Sequence, residues 1–207
     1  MKTTESLLAQ LNERGLLLQQ DKTLPNVVST LAGESVRGSW WTHPRAHTIY
    51  NCLIDLAGRP DVLVTKLVSG KVTFVHRCLW PALLAVATSH EPWQFERLTE
   101  YARSLYESVE RQGRLLSSGQ DAKTLEQRLL VHDEQVHADS GKHQLWLETW
   151  SLWAGRAGCK GTLDPSEGKL QLESAVRALG GTEAMLPWHN KPTSLRSEGR
   201  RRKTKDE

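Results

Sequence analysis

Cysteine is scarce in this 207-residue chain: Cys52, Cys78 and Cys159 are odd in number, far apart and outside any C-x-x-C. Such a set builds neither a disulfide framework nor a zinc knuckle, and it fits a reducing cytoplasm. Long apolar runs are lacking too. No stretch reaches the ~18 residues that a membrane helix needs. Met1-Lys2-Thr3-Thr4-Glu5 leads into an interrupted helical pattern rather than a signal-peptide core. There is no G-x-G-x-x-G or G-x-S-x-G, and Val68-Ser69-Gly70-Lys71 lacks the first glycine and the following Ser/Thr of a P-loop. His132 and His137, five apart, miss the i, i+4 spacing of a helical zinc pair. No cofactor, no metal and no membrane partner are expected, and no internal repeat is visible.

What is present suffices for a folded body. Apolar residues make up 38% and charged residues 25%, which excludes wholesale disorder. The net charge of +3 is uneven. Lys191, Arg196, Arg200, Arg201, Arg202, Lys203 and Lys205 make residues 189–207 a basic tail without apolar periodicity, expected to be disordered. The body before it is nearly neutral, yet its stretch 33–80 is locally basic through Arg37, Arg45, Arg59, Lys66, Lys71 and Arg77.

Periodicity predicts helices over 4–18, 25–31 and 44–57, the last with Ile49, Cys52, Leu53 and Leu56 as its buried stripe. Val62–Val68 and Lys71–Arg77 read as a β-hairpin with Ser69-Gly70 as a two-residue turn. That register sets Lys66 opposite Thr73 on an outward lysine face, with Leu63, Leu67, Val72 and Phe74 on the packed face. Further helices are expected over 80–88, 92–112, 122–138, 143–154 and from 164 to 180, with 115–121 as a surface loop and Trp146, Trp150 and Trp153 as one helical stripe. The fold class is thus mainly α with a β-hairpin: a winged-helix-like unit (1–90), a helical unit (91–188) and the tail.

Three helices followed by a hairpin match the chain order of a winged helix, whose third helix enters the major groove while the hairpin touches backbone or minor groove. Protein-interaction wings share that order. Arg45, His47, Thr48 and Asn51 can donate to base edges or phosphates, and Arg37, His43, Lys71 and Arg77 add charge around them. The adjacent Trp40 and Trp41 cannot both face one core if the chain is extended there, so one ring is expected to be exposed, able to stack on a base or wedge into a base step. Lys66 as a Schiff-base amine, with His47 and Asp61, would suit a DNA glycosylase or lyase acting on modified bases or abasic sites. A non-catalytic DNA-binding regulator and a protein-interaction module are the alternatives, and the chain admits a homo-oligomer. A wing whose lysines pair with acids would favour the interaction module.

Arg37-Gly-Ser-Trp-Trp-Thr-His-Pro-Arg45, Asp61–Arg77 and Leu79-Trp-Pro-Ala-Leu-Leu84 resemble segments of small, largely uncharacterised bacterial proteins. The resemblance covers about a quarter of the chain and implies no activity or site residue; it marks 37–84 as one unit.

Overall fold

The computed structural model of the protein describes residues 4–137, 143–161 and 163–189. Within them the fold is mainly helical with two small antiparallel three-stranded sheets, and no helix is long and apolar enough to cross a membrane. All but the first residue of the expected tail lies outside the described residues.

Helix α1 (Thr4–Arg14) buries Leu7 and Leu11. It ends short of the expected Leu18 because Gly15 takes a left-handed φ of +75°, where a Cβ would stand 2.6 Å from Leu79 Cδ1. The chain then enters β1 (Leu16–Leu18). Leu16 and Leu18 face one core and Leu17 another, so three consecutive leucines form a strand buried on both faces. Asn26 caps α2 (Val27–Ala32) by accepting the Ser29 N–H, and Gly33 closes it at φ +84°. Helix α3 (Ala46–Ala57) buries Ile49, Cys52, Leu53 and Leu56, the stripe its spacing predicts. Strands β2 (Val62–Lys66) and β3 (Val72–His76) form the expected hairpin, with β3 central in the order β1-β3-β2.

The hairpin register differs from expectation by one residue. Thr65, not Lys66, stands opposite Thr73, and Lys66 faces Val72. Leu67 and Val68 are fully buried, which draws both out of the ladder; Ser69 (φ +54°) and Gly70 (φ +65°) then turn the chain back within a five-residue connection. The slip exchanges faces. Leu63 and Val75 join one core, whereas Val62, Val64 and Phe74 join the core of α1, α2 and α3, so neither face of the hairpin is an open lysine face.

The second face of this sheet is covered by α4 (Trp80–Ala87), α8 (Trp150–Ala157) and α9 (Pro165–Ala178). Leu16, Leu63 and Val75 share that core with Leu83, Trp150, Trp153, Leu172 and Val176, and Trp80 Nε1 donates to the Val75 carbonyl at 3.1 Å. Helix α9 approaches α4 so closely at Gly168 that a Cβ there would lie 2.7 Å from the Ala82 carbonyl oxygen. One core therefore spans the border expected near residue 90.

The region expected to be helical throughout contains a second sheet. Helix 92–112 is broken into α5 (Pro92–Phe95) and α6 (Glu100–Gln112), with Arg97 at φ +56° between them and Thr99 capping the second. There follow β4 (Arg114–Ser117), α7 (Gln120–Gln127), β5 (His132–His137) and β6 (His143–Glu148), in the order β4-β6-β5. Leu145 and Leu147 pack toward α6 and α7, the period-2 alternation of a strand, so Trp146 leaves the expected helical stripe and only Trp150 and Trp153 remain on α8. This unit shares the strand order of the first, an edge strand and a hairpin whose last strand is central, with one helix, α7, where the first unit has α2 and α3, although the sequence shows no repeat.

Candidate nucleic-acid interface

Residues 33–57 build the surface expected to carry function. Past Gly33, the connector is held by Gln20, whose Nε2 donates to the carbonyls of Gly38 (2.8 Å) and Val36 (3.3 Å). Arg45 ties the connector's far end to α2 by donating from Nη1 to the Leu31 carbonyl at 2.9 Å. His43 accepts the Arg45 N–H at Nδ1 and meets Glu34 at Nε2, 3.2 Å away. These contacts fix the turn from which α3 starts.

One ring is buried and the other exposed, as expected, although Trp40–Thr42 form a 3-10 turn rather than the extended chain on which that expectation rested. Trp40 plugs the core of α1, α2 and α3, while Trp41 lies 62% exposed, stacked on Trp40 with ring centroids 4.0 Å apart. Tyr50 reaches the same patch, 5.6 Å from Trp41. The outward face of α3 carries His47, Thr48, Tyr50, Asn51, Ile54 and Asp55, with Asn51 Nδ2 3.4 Å from His47 Nδ1. Tyr50 and Ile54 were not among the expected contact residues. Their signal was in the spacing: both lie off the Ile49–Leu56 stripe and four residues apart, hence on one exposed face.

The hairpin does not join this surface as an open basic finger. Lys66 Nζ donates to Glu126 Oε2 of α7 at 2.5 Å, and Glu126 is buried. Lys71 pairs with Asp21, whose Oδ1 accepts the N–H groups of Thr23 (2.8 Å) and Leu24 (2.9 Å). Burial works against the Asp21 charge, but the Leu24 N–H, Lys71 and the Thr23 N–H outweigh it and hold its carboxyl well below the usual range. The expectation that both lysines point outward is corrected accordingly: each meets a carboxylate of a neighbouring element. Arg77 and Arg37 are exposed.

The three residues expected to carry catalysis each have their own partner. Asp61 is held by Arg59 through two bonds, Nε to Oδ1 at 2.9 Å and Nη2 to Oδ2 at 3.1 Å, and this partner keeps its carboxyl ionised below its ordinary value. Lys66 lies five residues further along extended chain, about 16 Å away. His47 sits in the first turn of α3, about 15 Å from that helix's C-terminal end, after which Asp61 follows. Among the described residues no hydrogen bond or ion pair joins the three to one another: Asp61 is held by Arg59, Lys66 by Glu126, and His47 lies beside Asn51.

Two titratable clusters were invisible in the sequence. Beside Lys66 and Glu126, Asp133 of β5 is pushed up from 3.8 to about 7, by burial first and then by the charge and hydrogen bond of Glu126, with Lys66 opposing. In the second sheet Arg114, Glu148 and His132 stand opposite one another across three strands. Glu148 Oε1 accepts from His132 Nδ1 at 2.8 Å and from Arg156. Burial disfavours its charge, yet the His132 bond and the neighbouring cations pull the carboxyl below its ordinary value. Nothing in sequence spacing links 66 to 126 and 133, which meet through the packing of α7 near β2, or 114 to 132 and 148, which meet through the sheet register.

No protein-family model, curated protein or solved structure matches the chain.

Proposed function

We propose that the chain is a winged-helix-like DNA-binding protein that contacts a duplex through the outward face of α3 and the Trp41-bearing connector, without base-excision chemistry. The observation that carries this reading is topological. The order α1-β1-α2-α3-β2-β3, with β3 between β1 and β2, leaves the third helix with a solvent-facing surface of hydrogen-bonding side chains. His47, Thr48 and Asn51 offer groups to base edges, Arg45 and Arg37 offer charge to phosphates, and Trp41 with Tyr50 offers an aromatic wedge. The glycosylase or lyase alternative needs Lys66, His47 or Asp61 at the reacting carbon, and the engagement of Lys66 by Glu126 and of Asp61 by Arg59 disfavours it.

A protein-interaction module is the second reading, favoured by the acid-paired hairpin lysines and by the contiguous Trp41, Tyr50 and Ile54 patch. Fluorescence anisotropy with labelled duplexes from 50 to 200 mM salt separates the two. DNA binding predicts affinity that falls steeply with salt and is weakened by Asn51→Ala and Trp41→Ala. Absence of duplex affinity at 50 mM salt rejects the DNA reading.

A further inference from the structure

We infer that the cleft between the β1–α2 loop and the α2–α3 connector, lined by Lys22, Thr23, Ser35, Arg37 and Gly38, binds a phosphate group. The cleft has a volume of about 470 Å³. Two of its five lining residues are cationic, two carry hydroxyls, and none is acidic. Lys22 and Arg37 are both exposed, and neither has a hydrogen bond or ion pair to any described residue. That distinguishes them from Lys66, Lys71 and Arg59, which are paired with Glu126, Asp21 and Asp61, and from Arg45, which donates to the Leu31 carbonyl.

The neighbouring acids are turned elsewhere. Asp21 precedes Lys22 in the chain, yet its Oδ1 accepts the Thr23 and Leu24 N–H groups and its Oδ2 meets Lys71. Glu34 precedes Ser35, and its carboxylate meets His43. The two walls are joined by Gln20, whose bonds to Val36 and Gly38 hold the connector against the β1–α2 loop. Gly38 adopts φ +82°, with no atom within 4 Å of where a Cβ would be, so its backbone is open to an approaching group. The Thr23 hydroxyl donates to Asp21 at 3.2 Å, but two unpaired cations, the Ser35 hydroxyl and an accessible backbone turn match the acceptor oxygens of a phosphate. The source of that phosphate, a phosphodiester flanking the α3 footprint, rests on the DNA reading; the preference for phosphate does not.

The test uses the full chain and its Lys22→Ala/Arg37→Ala double variant, with Arg111→Ala/Lys123→Ala as a control that removes equal charge from the second unit. Duplex affinity is measured against salt. Separately, inorganic phosphate is titrated while the amide NMR signals of Ser35 and Gly38 are followed. The expected result is a salt slope about 1 smaller for the Lys22/Arg37 variant, the release accompanying one phosphate. The control slope is unchanged, and the phosphate-induced shifts at Ser35 and Gly38 disappear in the variant. Duplex binding with unchanged slope and affinity in the Lys22/Arg37 variant overturns the cleft while leaving the DNA reading intact. No duplex binding by the wild type, together with saturable shifts at Ser35 and Gly38 that the variant loses, keeps the phosphate site, assigns it to a free phosphate compound and rejects the DNA reading. Neither duplex binding nor shifts overturns both.

Discussion

Asp133 offers the sharpest test of the packing between the two units. Its half-buried carboxyl lies beside Glu126, which already receives Lys66, so ionising Asp133 would place a second negative charge next to the first. The folded chain therefore holds a proton at about pH 7 that the unfolded chain, titrating near 3.8, releases. More protons are bound when folded, so stability is greatest at low pH and falls as pH rises from 4 through 7. The displacement corresponds to a destabilisation of roughly 2–4 kcal/mol above pH 7. Asp133→Asn removes the charge while keeping a donor for Glu126. At pH 8 the variant should be more stable than the wild type by about 2–4 kcal/mol, which raises the melting temperature by roughly 5–10 °C for a chain of this size. At pH 5 the gap should narrow to about 1–2 kcal/mol and close only below about pH 4. Urea unfolding followed by tryptophan fluorescence at pH 5, 6, 7 and 8 measures this. A wild-type stability flat across that range, or a variant less stable at pH 8, refutes the reasoning.

Three further outcomes follow from contacts already described. Gly168→Ala raises helix propensity by about 1 kcal/mol, yet should destabilise the protein by about 1–3 kcal/mol in thermal melts, because its Cβ meets backbone of α4. Trp40→Ala should cost about 3–5 kcal/mol in urea unfolding, whereas Trp41→Ala should stay within about 1 kcal/mol of wild type while weakening duplex binding. Asp21→Ala should cost about 2–3 kcal/mol at pH 7 by leaving the Thr23 and Leu24 N–H groups without their acceptor. Because the Asp21 carboxyl titrates below its unfolded value, that deficit should shrink as acid protonates the wild type below pH 4.

Local chemistry made much of the first unit legible. Asn26, Gly33 and the Ile49–Leu56 stripe mark α2 and α3 without tertiary help, and one of the adjacent tryptophans is exposed as expected, though from a 3-10 turn rather than an extended chain. Leu16–Leu18 continued the apolar pattern of α1 and was indistinguishable from helix until Gly15 was seen pressed against Leu79. The hairpin register failed for a related reason: Ser69-Gly70 signals a two-residue turn, but the burial of Leu67 and Val68, decided by distant elements, lengthened the connection. In the second unit His132-Asp-Glu-Gln-Val-His137 has none of the β-branched alternation of a half-buried strand, and its pairing with β6 is set by Leu145 and Leu147 on the partner. The expected wing lysines illustrate the limit for function. A sequence displays a cation, whereas its carboxylate partner 50 or 60 residues away is fixed by the fold.

The sheet of β1, β2 and β3, lined by apolar residues on both faces, also governs what can be cut from the chain. A fragment ending near residue 90 would keep Leu16, Leu18, Leu63 and Val75 but lose Trp150, Trp153, Leu172 and Val176 from over them. The bare face would be a sticky three-stranded surface, prone to self-association. Helix α3 is thus inseparable, in any soluble piece, from the C-terminal helices, and limited proteolysis should release no stable N-terminal fragment.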